Sequence, residues 1–155
     1  MIYSQDLRQI NMATTGLERF LKAQETDFHT ALNEITNGRK RTHWMWYIFP
    51  QIKGLGFSDI ANFYAIGDLN EAGTYLNHRV LGPRLVLITA ETLKLENRTA
   101  YQIFGSPDNL KFHSCMTLFA TVPGADPVFQ QALNRYFNGL KDSKTLQILG
   151  LQNFK

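Results

Sequence analysis

The residues with the most chemical potential fall in two stretches. The first is Arg39-Lys40-Arg41-Thr42-His43-Trp44-Met45-Trp46-Tyr47-Ile48-Phe49-Pro50-Gln51, where three cations run directly into both tryptophans of the chain. At about 100° per residue, a helix from His43 to Phe49 carries apolar or aromatic side chains all round, which predicts a centrally buried segment that Pro50 ends. His43 and Tyr47 stand four apart on one face, within reach of a shared hydrogen bond. Rings beside cations suit a base, a sugar or a phosphate in a ring-walled pocket. The same pattern also fits a core helix whose basic neighbours are solvated.

The second stretch is Asp108-Asn109-Leu110-Lys111-Phe112-His113-Ser114-Cys115-Met116-Thr117-Leu118-Phe119. On a helix, Phe112, Cys115, Leu118 and Phe119 form one apolar arc, and Asp108 and Lys111 project inside it. An acid and a base three residues apart on such a face are either a structural ion pair or a positioned acid, base or phosphate contact lining a cleft. Asp108 also suits the first turn of a helix through the helix dipole, and a lysine can extend outward from an apolar face.

Other patterns point away from familiar chemistry. Gly54-Leu55-Gly56 lacks the third glycine and the preceding strand of a dinucleotide fingerprint, and reads as a turn. His29, His78 and His113 are separated, and no zinc-ligand spacing occurs, so neither a metal nor a cofactor is expected. Cys115 reads as a small core residue. His113 lies about 160° round the helix from it, so no Cys-His pair forms within that helix. There is no nucleophile elbow and no phosphate-cradling loop.

The elements that must position these residues are helices, because helix punctuation recurs along the chain and sustained alternation does not. Phe28, Leu32 and Ile35 repeat behind a cap expected at Thr26 or Asp27, with Gly38 as the stop. Ser58 opens a helix bearing Ile60, Phe63 and Tyr64. Asp68 and Glu71 form a capping-box variant for Leu69–Asn77, and Thr99 caps Ala100-Tyr101-Gln102-Ile103. Pro83 lies in the first turn of a helix through Leu85, Ile88 and Thr92 to a last turn near Lys94. Ser106-Pro107 and Asp126-Pro127, each a cap followed by a proline, precede helices over Leu110–Val122 and Val128–Asn138, Gly139 closes the latter, and Asp142 caps Ser143–Leu149. The expectation is an all-α, compact irregular domain of about seven to nine short helices.

Composition agrees. The chain has 155 residues, 44% hydrophobic and 19% charged, an ordinary composition for one domain. A chain of this size buries roughly 70% of its unfolded surface, so one core holds it without disulfides or metals. No linker, repeat or low-complexity tract divides it. Residues 1–15 lack a clear period and are expected to be a loosely attached extension to a single helical domain over 16–155. The net charge of +3, from 16 basic and 13 acidic residues, argues against an obligate nucleic-acid binder. With one cysteine, no apolar run of about eighteen residues and no signal peptide, a cytoplasmic protein is expected, and the Asn97-Arg98-Thr99 sequon is accidental. The 12% aromatic content implies a ring-rich core or a ring-walled pocket.

The run Gly38 to Gln51, followed by Gly54-Leu55-Gly56, resembles the signature of the bacterial family catalogued as domain of unknown function 1810. The likeness continues through Glu71-Ala72, Tyr75-Leu76, His78, Leu81-Gly82, Arg84-Leu85, Ile103-Phe104-Gly105, Asp108, Lys111, Met116-Thr117-Leu118-Phe119 and Asp142, and covers Leu17 to about Leu149. Arg79 stands where the family commonly has proline, and Cys115 where serine is frequent. Some members carry a calpastatin label, but nothing here resembles a long disordered inhibitor. The resemblance implies a mainly helical fold and brings no established activity. Its motif residues are Lys40, His43, Trp44, Trp46, Gln51, Arg84, Asp108, Lys111 and Ser114.

The resulting expectation is a cleft between the His43–Phe49 and Asp108–Phe119 helices that binds a small anionic or nucleotide-like molecule. Trp44 or Trp46 would stack on a ring, and Lys40 and Arg84 would meet negative charge, with Gln51 and Ser114 as further contacts. Were the chain an enzyme, His43, Asp108 and Lys111 would carry acid-base chemistry, and hydrolysis or transfer at a glycosidic or phosphoryl bond fits them better than redox chemistry. Two alternatives stand beside it. One is a non-catalytic module using an aromatic groove for a partner helix, and the other a weak nucleic-acid binder using Arg39-Lys40-Arg41.

Overall fold

The computed structural model describes residues 16–151, and the extension expected at residues 1–15 lies outside them. The described residues form an all-α domain of nine helices. In chain order these are α1 (Glu18–Thr36), α2 (Met45–Ile48), α3 (Asp59–Phe63), α4 (Leu69–Asn77), α5 (Leu81–Leu93), α6 (Ala100–Phe104), α7 (Asp108–Thr121), α8 (Val128–Phe137) and α9 (Ser143–Leu149). Helix α7 is the axis: it packs against α4, α6, α8 and α9, while α5 joins α1, α4 and α8.

The local signals explain most of these boundaries. Ser58, Asp68, Thr99 and Asp142 each accept a hydrogen bond from the backbone N–H three residues on, each worth about 1 kcal/mol of helix stability. At Thr99 the box is complete, because the Gln102 side chain also accepts from the Thr99 N–H at 2.8 Å. At Asp68 it is not: the Glu71 carboxylate accepts instead from the Gly67 N–H at 2.8 Å.

Three expectations are corrected. Helix α1 begins at Glu18, eight residues before Thr26, because Phe20, Gln24, Phe28, Ala31 and Ile35 form one continuous buried stripe. Thr26 and Asp27 therefore sit mid-helix, and the Asp27 carboxylate accepts the Tyr47 hydroxyl rather than capping anything. Neither Ser106 nor Asp126 takes the N-cap position, which falls to Pro107 in α7 and to Pro127 in α8, although the Asp126 carboxylate accepts from the Val128 N–H at 2.9 Å. The helix expected over His43–Phe49 shrinks to Met45–Ile48. Its start is delayed because Glu34 captures the N–H groups of Arg41 and Thr42 at 2.7 and 3.0 Å, and Phe49 leaves the helical region before Pro50.

The helix buried almost all round is α7, whose Phe112 and Ser114 through Phe119 are all buried. Around it the aromatic excess becomes core. Phe104 and Phe112 stack at 4.5 Å, and Phe49 meets both edge-on at 5.7 and 5.1 Å. Close packing reaches the backbone where α5 starts: a Cβ at Gly82 would lie 2.0 Å from the Leu76 carbonyl oxygen, so only glycine fits. Between α2 and α4 the chain makes a closed excursion pinned by one parallel bridge. The Lys53 N–H donates to the Ile66 carbonyl and the Ile66 N–H to that of Gln51, both at 2.8 Å. That excursion, with the Gly54-Leu55-Gly56 turn and α3, forms one wall of the cleft described next.

Candidate functional site

Two anchors place the residues of the first stretch. The Glu34 carboxylate, near the end of α1, accepts four hydrogen bonds: from the backbone N–H of Arg41 and of Thr42, from the Thr42 hydroxyl at 2.7 Å, and from the Trp44 indole at 2.9 Å. Burial works to raise its pKa, but the donors of Thr42, Arg41 and Trp44 outweigh it and hold the carboxyl down at about 2. The second anchor is Lys40, whose N–H donates to the Ile103 carbonyl at 2.7 Å and whose side chain is only 7% exposed. Its ammonium meets the Thr42 carbonyl at 2.6 Å, lies 5.1 Å from the Trp44 ring centre, and pairs with the Asp108 Oδ2 at 2.8 Å.

Asp108 is shared. Its other oxygen lies 3.5 Å from the Lys111 ammonium, one turn along α7. That ammonium also sits 4.8 Å from the centre of the Trp46 ring. One carboxylate thus serves two ammonium groups, and the cluster keeps one positive charge in surplus. Lys111 has the weaker hold, and its ammonium makes no hydrogen bond to a described residue beyond that ion pair.

Lys111 and Trp46 line a cleft of about 620 Å³ between α7, the start of α9 and the Gln51–Ala61 excursion. Gln51 and Ser114 also line it, so four of the expected residues meet there. Ser114 is already engaged, with its hydroxyl 3.1 Å from both the Leu110 carbonyl and the Asp142 carboxylate. Asp142 in turn caps α9 and donates its own N–H to the Thr117 hydroxyl at 2.8 Å, so this pair docks α9 on α7. Gln51 and Lys144 make no side-chain hydrogen bond to a described residue. The apolar lining comes from Trp46, Leu55, Phe57 and Leu110, with Phe57 87% exposed at the rim.

The remaining expected residues are elsewhere. Trp44 is 1% exposed, a core residue between Lys40 and Phe49, and cannot stack on a ligand. His43 is exposed and outside the cleft, and Tyr47 contacts its backbone carbonyl at 3.3 Å rather than its ring. Burial and the bond to Asp27 push the Tyr47 phenol well above its usual range. Arg84 belongs to an internal polar cluster, 3.4 Å from the Gln24 amide oxygen and 5.0 Å from the Phe28 ring centre. There Gln24, fully inside, donates to the Tyr47 carbonyl at 2.8 Å and the Tyr75 hydroxyl at 3.0 Å. Burial pushes the Cys115 thiol up, as suits a core residue.

Sequence reasoning passed over Phe57, Lys144 and Glu34. Phe57 and Lys144 reach the cleft through the Ile52–Ile66 bridge and the Ser114–Asp142 dock, both nonlocal. Glu34 had a usable local signal, as a carboxylate at the end of an amphipathic helix just before a run of backbone donors.

Fold and cleft together define a small all-α protein built round one buried helix, with a lysine-tryptophan cleft on its flank. The chain belongs to the family described as protein of unknown function (DUF1810), which matches residues 14–149. It is similar to the crystal structure of the conserved hypothetical protein Rv1873 from Mycobacterium tuberculosis, with a TM-score of 0.85 and 43% identity over 86% of this chain and 96% of that one. No curated protein matches the chain. Among the described residues, no helix is long and apolar enough to cross a membrane.

Proposed function

We propose that the cleft beside Lys111 and Trp46 binds a small anionic molecule with a planar, nucleotide-like body. The observation that carries the reading is the shared carboxylate: Asp108 neutralises one of two ammonium groups, and the less tightly held, Lys111, faces the cleft across the Trp46 ring. An anionic group would complete the charge balance at Lys111. The ligand's body would lie along Trp46, Leu55, Phe57 and Leu110, and the Gln51 amide and Lys144 supply unused donors. His43, Asp108 and Lys111 do not meet in one cavity, so hydrolysis or transfer by those three together is left out and the function proposed is binding. A cytoplasmic setting fits the unpaired, buried Cys115.

A thermal-shift screen against nucleotides, sugar phosphates and ADP-ribose tests this. A cleft ligand at 100 times its Kd stabilises by about 2.7 kcal/mol through that site, and Lys111→Gln should remove most of the cleft's share of the gain. No stabilisation by any compound, or an equal one in Lys111→Gln, overturns the reading. The exposed Phe57 and Leu110 favour a second reading, a groove for an apolar partner segment, which becomes the better account if the whole screen is silent.

A further inference from the structure

We propose a second anion site, separate from the cleft and sharing no lining residue with it, that takes a pyrophosphate group attached to a planar ring, as in a nucleoside diphosphate. It is a concavity of about 630 Å³ bounded by the Arg39-Lys40 loop, the Glu96–Arg98 turn and α6.

Charge is the first argument. Arg39, Lys40 and Arg98 line the concavity against a single acid, Glu96. Lys40 is committed to Asp108, whereas neither Arg39 nor Arg98 has an ion-pair partner among the described residues, and Glu96 pairs with neither. Two uncompensated guanidinium groups therefore share one hollow. Each offers forked donors matched to two phosphate oxygens, and two forks suit two linked phosphates better than one.

The second argument is that one fork lies beside a loop whose backbone leaves room for it. A Cβ on Gly38 would come within 3.3 Å of the Arg98 guanidinium carbon, so that group occupies the space a side chain would need, and Gly38 holds a φ of +96° that disfavours any side chain. The turn before Arg98 contains Asn97 at φ 61°, a left-handed conformation that asparagine tolerates. Both rims are tied down: the loop through the Lys40 N–H on Ile103, and α6 through the Thr99–Gln102 box. Rims that keep their shape lose less entropy when an anion arrives.

The third argument is the wall. Tyr101, on α6, lines the same concavity with 63% of its surface exposed, a face on which a planar group can stack while its phosphates reach the arginines.

Isothermal titration of the full chain with pyrophosphate and ADP tests the assignment. It is done in a Lys111→Gln background so that the cleft does not contribute. Both should bind. Arg39→Gln and Arg98→Gln should each weaken pyrophosphate about tenfold, the equivalent of one charge-assisted contact, and Arg98→Lys should weaken it too, because it keeps the charge but loses the fork. Tyr101→Ala should weaken ADP and leave pyrophosphate unchanged. The inference is overturned if pyrophosphate does not bind, or binds equally to the arginine variants. It is also overturned if a single-stranded oligonucleotide binds more tightly per site than ADP, the mark of a polynucleotide track.

Discussion

Replacing Glu34 by glutamine should cost stability in a way that disappears in acid. The carboxylate fastens the end of α1 to the Arg41–Trp44 segment through four donors, and those donors lower its pKa from an ordinary 4.5 to about 2. A drop of that size corresponds to about 3 kcal/mol at full strength, and solvent screening of a partly exposed carboxylate reduces it to about 1–2 kcal/mol. Because the folded-state pKa is the lower one, this stability is complete above pH 4.5 and is lost as the pH falls toward 2. Glutamine keeps one acceptor oxygen but no charge, so the charge-assisted part is lost at every pH. At neutral pH the variant should melt about 3–6 °C below the parent chain, and the gap should narrow steadily between pH 5 and pH 2.5. Paired thermal melts by circular dichroism across that range measure it. A gap that stays constant with pH would show that Glu34 acts through packing alone and that its carboxylate is not the clamp on this segment.

Two further outcomes follow from the same geometry. Asp108→Asn should destabilise by about 2–3 kcal/mol in a urea titration, because it leaves the nearly buried Lys40 ammonium and Lys111 without their shared counter-charge; a loss below about 0.5 kcal/mol would mean that solvent already compensates them. Cys115 should resist a thiol reagent in the folded chain and react only on unfolding, since burial both hides the sulfur and raises its pKa; fast labelling under native conditions would contradict its place on α7.

Much of the helical grammar was legible because it is local. Ser58, Asp68, Thr99 and Asp142 bond to groups three residues away, so their roles are set by the neighbouring sequence. The misplaced start of α1 shows the limit: Thr26 and Asp27 have cap chemistry, but the buried stripe that begins at Phe20 overrides it. The His43–Phe49 stretch misled for a related reason. Its apolar density is real, yet Glu34 and Pro50 leave only one helical turn, and α7 takes the central position.

The candidate site divides in the same way. Asp108 and Lys111 were readable as a pair because they lie one turn apart on one helix, whereas the Lys40–Asp108 contact joins residues 68 positions apart and no periodicity reveals it. The two tryptophans look equivalent in sequence. They separate only because the Glu34 carboxylate draws the Trp44 indole inward, leaving Trp46 to the cleft. Arg84 was misjudged since its partners, Gln24 and Phe28, are remote in sequence and lie inside the fold.

The difference between those two rings also gives the most direct test of the central claim. Each indole N–H gives its own resonance in a nitrogen-proton correlation spectrum, and the best stabilising nucleotide from the screen can be titrated against both. Binding in the cleft predicts that the Trp46 resonance shifts with saturation, that the Trp44 resonance stays within its Glu34 bond, and that Lys111→Gln abolishes the shift. A shift confined to Trp44, or no shift at Trp46 at saturating ligand, would contradict a Lys111–Trp46 binding cleft.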